Sequence, residues 1–420
     1  MSMDELESRN HPDASLKTRI GFVVELARRL HEYGTAAPRL EDAINLVSAR
    51  LDLACNILST PTAIVMSFSD LSHEDSLADI TQVVRVPPGD VNLQRLCQVD
   101  EIADQVIDGR LDLAAGSRRL RDVGREPRSV AYRAWLVVSY GVSAGSVAAI
   151  LHTDWAGVGA ATLIGLVIGM VYLVSMGRPN IAAAADALAA LLATLIAIAI
   201  AAFVVPVAVR SVVIASLIVL IPGMTLTTAV RELSSQHLIS GTARMMGAFA
   251  TLLKLAFGTI AATQFCTLVG WVPSGDLALP VPAWTEWVAV LACGLAFAVL
   301  FSSPRRYVPA VVVSVVLGYV CAQLGGVYVS PAFGVFVGAL VIGAASNIFA
   351  RVMQRPGALV REPGIILLVP GSVGFRTLSF VFERDVRLGA DTAITLVTLL
   401  VAIVAGLLFG DLLVPPRRKL

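Results

Sequence analysis

Two long apolar stretches of this chain carry the same interruption. Leu220-Ile221-Pro222-Gly223-Met224 and Leu368-Val369-Pro370-Gly371-Ser372 each place a Pro-Gly step inside an apolar run, 148 positions apart. Proline removes a backbone donor and clashes with the preceding turn, and glycine adds backbone freedom, so each step should break or kink a spanning helix. Hydrocarbon tolerates such a break only where protein or a wet cavity satisfies the freed backbone groups. The matched pair, one per half, therefore predicts a transporter-type binding site.

The composition supports a polytopic membrane protein. The 420 residues are 56% hydrophobic and 15% charged, with a mean hydropathy of +0.77, well outside the range of soluble globular proteins. Residues 1 to 133 hold 21 Asp/Glu and 16 Lys/Arg, whereas the other 287 residues hold 10 and 16. A polar domain therefore precedes a membrane domain.

Charge and cysteine usage narrow the partners and cofactors. The formal net charge is +1 and the longest basic run is Arg417-Arg418-Lys419, so we expect no nucleic acid partner. The five cysteines lack Cys-x-x-Cys spacing, and we expect no metal and no cofactor. The predicted partners are a small-molecule substrate, protons and the lipid bilayer, with a homo-oligomer left open.

The polar region predicts a small cytoplasmic α+β domain. After a disordered lead-in at 1–15, apolar residues recur at helical spacing over 16–33 and 39–51, and three short strands follow between 54 and 86. Two further helices are expected near 92–108 and 111–123. A basic linker completes the domain at 16–133, and its arginines place the N-terminal side in the cytoplasm.

Ten apolar segments follow, each near the roughly 20 residues needed to cross hydrocarbon. Shifting the first five by 148 positions brings their starts close to those of the last five. We therefore predict a 5+5 inverted repeat, with a first membrane repeat at 134–270, a second at 284–413 and both termini cytoplasmic. The segments are 134–151, 155–176, 182–205, 208–230, 241–270, 284–302, 307–326, 332–351, 364–382 and 392–413.

Ionisable residues inside apolar segments are few, and each is a functional candidate because a charge in hydrocarbon costs several kcal/mol, about 3 on insertion scales. Lys254 lies near the middle of the fifth segment, Asp186 near the start of the third, and Glu232 at the end of the fourth. We predict that Lys254 holds a substrate carboxylate and that Asp186 or Glu232 exchanges a proton. The alternative is structural: Lys254 as an ion-paired or snorkelling lysine, and Glu232 as a loop charge that fixes topology.

The predicted substrate-binding residues lie at the interruptions or at polar positions within apolar segments. Threonines after the first interruption offer hydroxyl groups, and a cation or a helix N-terminus can hold a carboxylate. Arg376 can instead snorkel toward Glu383 or Asp385, and Asn347 can instead join helices. The full set is Pro222, Gly223, Thr225, Thr227, Thr228, Lys254, Asn347, Pro370, Gly371 and Arg376.

An enzymatic function of the polar domain is the weaker hypothesis. Its candidates are His31, Glu41, Asp42 and the run His73-Glu74-Asp75. None has metal-ligand or nucleophile–base spacing, and neither half carries a Walker-type loop. We therefore expect no enzyme.

Several short motifs together resemble the threonine/serine exporter family. The resemblance covers nearly the whole chain and implies a bacterial inner-membrane exporter of threonine and serine, driven by the proton motive force. The second half is similar to a component that some bacteria encode separately, and two-protein relatives are associated with dicarboxylate export. The motifs are Tyr33-Gly34, Arg39-Leu40-Glu41, Thr60-Pro61-Thr62 to Ser67-Phe68, Arg85 to Gly89 with Val91-Asn92-Leu93, Ile221-Pro222-Gly223, Arg231-Glu232-Leu233 and Ser240-Gly241-x-x-Arg244.

The sequence thus predicts a secondary exporter of small polar amino acids with its site between two broken helices. The first alternative is export of dicarboxylates such as succinate, which would need two cationic partners, for example Arg376 beside Lys254. The second is a membrane-anchored enzyme or sensor that acts through the N-terminal domain.

Overall fold

A computed structural model describes residues 15–71, 80–125, 129–273, 279–382 and 385–416. Over these residues the chain is mostly helical, with one small sheet near its N-terminus. The lead-in, the His73-Glu74-Asp75 run, Glu383 and the basic tail at 417–419 lie outside the described residues.

The N-terminal elements form an α+β unit, as predicted. Its helices and strands lie within three residues of the predicted positions, and we call residues 16–122 the N-terminal unit. Its elements are α1 (Leu16–Glu32), α2 (Ala37–Arg50), β1 (Leu53–Thr60), β2 (Ala63–Asp70), β3 (Ile80–Arg85), α3 (Leu93–Ile107) and α4 (Leu113–Asp122).

One face of the sheet and the apolar faces of the helices build the core of this unit. The strands pair antiparallel in the order β1-β2-β3. Along β2, the side chains of Ile64, Met66 and Phe68 are buried and their neighbours are less so, because successive residues of a strand point to opposite faces. Phe22 and Leu26 of α1 are fully buried in the same apolar cluster.

Twelve helices follow in the described part of the chain. The first begins at Val130, inside the predicted linker, because Ser129 caps it by accepting a hydrogen bond from the Tyr132 N–H. They are α5 (Val130–Ile150), α6 (Trp155–Ser175), α7 (Pro179–Phe203), α8 (Val209–Leu217), α9 (Gly223–Ser234), α10 (Leu238–Leu268), α11 (Trp284–Leu300), α12 (Val308–Tyr328), α13 (Pro331–Met353), α14 (Ala358–Ile366), α15 (Gly371–Phe382) and α16 (Val386–Leu413).

Both predicted interruptions are present. Helix α8 ends at Leu217 and α9 begins at Gly223, with Pro222 as a non-helical N-cap residue. In the second half, α14 ends at Ile366 and α15 begins at Gly371. Proline and glycine therefore divide the fourth apolar segment of each half, as their chemistry dictates.

Eight helices of the described chain are long and apolar enough to cross a membrane, when α14 and α15 are taken together. Two of the ten predicted spans are not among them. The segment at 208–230 is divided between α8 and α9, and α11 has only 17 residues.

The N-terminal unit docks against one end of the helix assembly. The backbone N–H groups of Leu93 and Gln94 donate to the carbonyls of Phe301 and Ser302, at 2.9 and 3.0 Å. Next to these bonds, Leu93 and Cys97 pack with Tyr307 and Leu359 in a small apolar cluster. The end covered by the unit is the one where α9 finishes and α14 starts.

Close helix contacts in the two halves depend on glycine. A methyl group at Gly258 of α10 would collide with the carbonyl oxygen of Ala187 in α7 and lie 3.0 Å from the Cβ of Ala190. A methyl group at Gly406 of α16 would collide with the carbonyl oxygen of Phe336 in α13 and lie 2.8 Å from the Cβ of Ala339. The two helix pairs therefore cross at nearly backbone-to-backbone distance.

Replacement of Gly258 by valine should destabilise the chain, since the backbone of α7 cannot move out of the way. Overpacking of this kind costs about 1–3 kcal/mol, so we expect a lower melting temperature of the purified protein in detergent. Gly247→Val is the matched control on the same helix, because nothing lies within 4 Å of the added carbon there. Equal melting temperatures for the two variants would contradict the close crossing.

Candidate functional site

The two interruptions touch each other. A methyl group at Gly371 would lie 3.2 Å from the Cα of Gly223 and 2.7 Å from the Cγ2 of Ile221. A methyl group at Gly223 would lie 3.3 Å from the Cα of Gly371 and would collide with Val369. Only glycine at both positions lets the two backbones approach this closely.

Two helix N-termini therefore meet at one point. Helices α9 and α15 both start at the contact, and their first backbone N–H groups have no intrahelical acceptor. The N–H groups of Met224, Thr225 and Ser372 make no hydrogen bond with any residue the structure describes. Each N-terminus carries the positive end of a helix dipole, so the contact favours a negatively charged group.

A cavity of about 1100 Å³ connects this contact with the N-terminal unit. At its inner end it is lined by the interruptions themselves, with hydroxyl groups from Thr225, Thr228 and Ser372. At the other end it is lined by residues of the N-terminal unit, among them Arg39 and Asn92. The two parts of the chain thus share one cavity.

The cavity brings together about half of the predicted substrate-binding residues. Pro222, Gly223, Thr225, Thr228 and Gly371 line it. Thr227 and Pro370 do not. The Oγ1 atom of Thr227 is buried without a partner among the described residues.

Lys254 and Asp186 lie elsewhere and bind each other. The Lys254 Nζ atom donates to Asp186 Oδ2 at 3.1 Å, between α10 and α7. Neither side chain lines the cavity, and the two retain exposed fractions of 42% and 24%. The predicted carboxylate-binding residue is thus the ion-pair partner of a predicted proton-coupling residue.

Arg376 and Asn347 also lie outside the cavity lining. Arg376 is exposed on α15. Asn347 is buried, and its Nδ2 atom donates at 2.7 Å both to Asp411 Oδ1 and to the carbonyl oxygen of Val414. Since Asn347 joins α13 to the end of α16, its contacts match the helix-joining alternative.

Glu232 anchors the N-terminal unit. Its side chain is fully buried, and its carboxylate accepts bonds from the Ala37 N–H at 3.1 Å, the Ser240 hydroxyl at 2.8 Å and Arg244 Nε at 3.0 Å. Beside it, His237 Nε2 lies 3.0 Å from Glu41 Oε2. These contacts make Glu232 a buried link between the N-terminal unit and helices α9 and α10.

Many charged residues of the cavity wall were not among the predicted site residues, and Arg39, Arg361 and Glu362 are three of them. Arg361 is 2% exposed; its Nη2 atom donates to Ser346 Oγ at 3.2 Å and lies 3.6 Å from Asp411 Oδ1. A sequence signal exists for this residue. An Arg-Glu pair begins nine residues after Pro222 and another begins nine residues before Pro370, so an inverted arrangement brings both pairs to the same end of the helices.

The N-terminal candidates for catalysis have structural contacts. His31 is 3% exposed, its Nε2 atom lies 3.1 Å from the Pro61 carbonyl oxygen, and burial lowers the pKa of its ring. Glu41 accepts the Ser59 N–H at 2.9 Å as well as contacting His237. Within the described ranges, no three His, Cys, Asp or Glu side chains are grouped so as to hold a metal ion.

Two family models match this chain, one in each half of the membrane helices. A sequence model for a threonine/serine exporter matches residues 21–266, and a second, for threonine/serine exporter ThrE, matches residues 286–413. The chain belongs to the threonine/serine exporter family. The gap between the two matches contains the connection from α10 to α11, so each match covers one half of the membrane helices.

Curated relatives are fungal membrane proteins. The chain is 26% identical to pheromone-regulated membrane protein 10 of Eremothecium gossypii, over 97% of this chain and 57% of that protein. It is 23% identical to the protein of the same name from Saccharomyces cerevisiae, over 97% of this chain and 55% of that protein. The chain thus spans about half the length of these relatives, and no solved structure matches it.

The apolar helices and the similarity to curated membrane proteins make this chain a membrane protein. Several motifs that carry the family resemblance meet at the junction between the N-terminal unit and the helices. Glu41 contacts His237, and Ala37 and Arg244 both contact Glu232. These family motifs therefore supply the contacts that join the N-terminal unit to the helices.

Truncation of Glu232 should destabilise the protein strongly. Glu232→Ala leaves Arg244 and the Ala37 N–H without their acceptor, and breaking a buried ion pair on one side costs about 3–5 kcal/mol. The matched control is Glu101→Ala, because Glu101 also joins the unit to the helices, through Arg355 at 3.2 Å, but is 52% exposed. Thermal unfolding in detergent measures both, and a similar small change for the two variants would contradict the anchoring role.

Proposed function

We propose that the chain exports threonine and serine from the cytoplasm, driven by the proton motive force, through a site at the contact between the two interruptions. The observation that carries the proposal is this contact, because it lies in the wall of a cavity that also reaches the N-terminal unit. Paired interrupted helices at such a position are the binding-site arrangement of many secondary transporters.

The chemistry of the contact suits a hydroxylated amino acid. The N-termini of α9 and α15 favour the substrate carboxylate, and the C-terminal carbonyl groups of α8 and α14 are acceptors for its ammonium group. Thr225, Thr228 and Ser372 line the same space and can exchange hydrogen bonds with a side-chain hydroxyl group. All three polar parts of threonine or serine then have partners.

We further propose ten spans arranged as a 5+5 inverted repeat, in which α11 and the α8–α9 pair also cross the membrane. Matched positions support this arrangement: Pro222 and Pro370 are 148 positions apart, and so are Gly258 and Gly406. Each of these glycines permits the same kind of crossing, α7 with α10 and α13 with α16. Alternating access would then follow from rocking one half against the other.

The proposed location is a bacterial inner membrane with the N-terminal unit and both termini in the cytoplasm. The arginines at the helix ends support the orientation. Arg231, Arg244 and Arg361 lie at the end covered by the N-terminal unit, as the cytoplasmic excess of Lys and Arg requires. The bacterial membrane follows from the family resemblance alone.

For proton coupling we propose the Asp186–Lys254 pair. It joins α7 to α10, and these helices pack against the interrupted helices: α7 against α8, and α10 against α9 and α15. Protonation of Asp186 would remove the charge that holds Lys254. The loss of this ion pair would change how α7 and α10 pack against the helices that form the site. Glu232 is the weaker candidate, since its fully buried carboxylate is occupied by contacts with Ala37, Ser240 and Arg244 at the junction.

Asp186→Asn should uncouple transport from the proton gradient. We expect net efflux of labelled threonine from proteoliposomes to lose its response to an imposed pH gradient, whereas threonine exchange at zero gradient continues. Asp391→Asn, which changes an exposed carboxylate of α16, should keep the response. Gradient-driven efflux that persists in Asp186→Asn would exclude this residue as the coupling group.

The direct test of the site is transport by Gly371→Val. The valine side chain must collide with Ile221 and with the backbone of Gly223, so we expect uptake of labelled threonine into wild-type proteoliposomes and none with the variant. Gly247→Val is the control for insertion into the membrane and for the amount of protein in the proteoliposomes. Labelled serine and succinate are measured in parallel, because succinate transport without threonine transport would establish the dicarboxylate alternative instead.

A further inference from the structure

Two half-buried charged side chains of the cavity wall, Arg39 and Glu362, have no partner among the residues that the structure describes. Arg39 belongs to α2 of the N-terminal unit and Glu362 to α14, and both line the cavity. Neither makes a hydrogen bond or an ion pair with any residue that the structure describes, although both are half-buried. Long charged side chains in such positions are normally paired. Here each of the two lacks an oppositely charged group at contact distance in the described part of the chain.

The surroundings of Arg39 make an unpaired cation costly. Burial and the nearby charge of Arg231 lower the pKa of Arg39 to about 10, against the opposing effects of Asp411 and Glu362. Arg361 is a third guanidinium in the same wall, and its buried Nε–H has no acceptor among the described residues. A carboxylate beside Arg39 would offset the repulsion among these arginines and accept hydrogen bonds from the Arg39 guanidinium.

Asp411 does not fill this role. Its Oδ2 atom contacts Arg231 Nη2 at 3.4 Å, while its Oδ1 atom faces Arg361 at 3.6 Å and accepts from Asn347. One carboxylate is thus divided between two arginines. The wall therefore keeps one free cationic end, at Arg39, and one free anionic end, at Glu362.

A free cation and a free anion in one wall are the complement of a zwitterion. An α-amino acid presents a carboxylate and an ammonium group on the same carbon, and each would find an opposite charge here. A dicarboxylate would bring its second negative charge toward Glu362, which costs binding energy in a partly buried site.

We propose that Arg39 and Glu362 form an entry site for amino-acid zwitterions at the cytoplasmic mouth of the cavity, before the contact of the interruptions. The substrate carboxylate binds Arg39, and the ammonium group binds Glu362. The inference rests on the proposed function and adds that the N-terminal unit supplies a substrate-binding side chain. It also gives the entry path a preference for zwitterions over dicarboxylates.

The experiment measures labelled threonine transport by the full chain in proteoliposomes, with competitors that lack one charge. L-Threoninamide has no carboxylate and 3-hydroxybutyrate has no ammonium group. Wild-type protein should be inhibited by unlabelled threonine and serine, and only weakly by either analogue.

Each substitution should remove one half of this discrimination. In Arg39→Gln, we expect the KM for threonine to rise about tenfold or more, the value of one charge-assisted hydrogen bond, and threoninamide to compete nearly as well as threonine. In Glu362→Gln, we expect a similar rise in KM, and 3-hydroxybutyrate should gain in competition instead. Arg39→Lys keeps the charge and should keep the discrimination against threoninamide, which separates binding from damage to the fold.

A matched control lies on the same helix as Arg39. Arg50→Gln changes an exposed charge of α2 that does not line the cavity, and it should retain the wild-type KM and competitor order. Unchanged KM and competitor order in Arg39→Gln and Glu362→Gln, with active wild-type protein, would overturn the entry site and leave the proposed function intact. Wild-type protein that transports no threonine would overturn both.

Discussion

The contact between Gly223 and Gly371 is the constraint on which the membrane part of this structure depends. A helix that stops inside hydrocarbon leaves backbone N–H and C=O groups without partners, and such groups must be covered by protein or reached by water. Here two interrupted helices cover each other, and the cavity reaches their free ends. The remaining helices pack around this core, α7 with α10 and α13 with α16, through crossings that only glycine permits.

The N-terminal unit forms part of the cavity wall and is joined to the helices through a buried carboxylate. Its helix α2 delivers the Ala37 N–H to the buried carboxylate of Glu232, and the same helix places Arg39 in the wall of the cavity. One short helix therefore contributes both to the docking of the unit and to the cavity wall.

The sequence predicted the order of the α+β elements and both interruptions because these are local properties. The helical spacing of apolar residues, the short strand segments and the Pro-Gly steps need only neighbouring residues. The contacts of Lys254, Asn347 and Arg376 could not be predicted in the same way. Their segments were right, but the face of the helix that meets the cavity depends on how neighbouring helices pack. Lys254 binds Asp186 on α7, Asn347 donates to Asp411 on α16, and Arg376 is exposed.

The sequence by itself determined a polar unit followed by apolar helices, and two helices that cannot continue through their Pro-Gly steps, because hydropathy and backbone chemistry act within a few residues. Only the tertiary structure decided that the two interruptions touch, that Glu232 is a buried anchor, and that Arg39 and Glu362 share one wall although 323 positions separate them in the chain. The physical reason is that charges and backbone dipoles act over a few ångströms of space. Which charges come that close is set by packing across the whole chain.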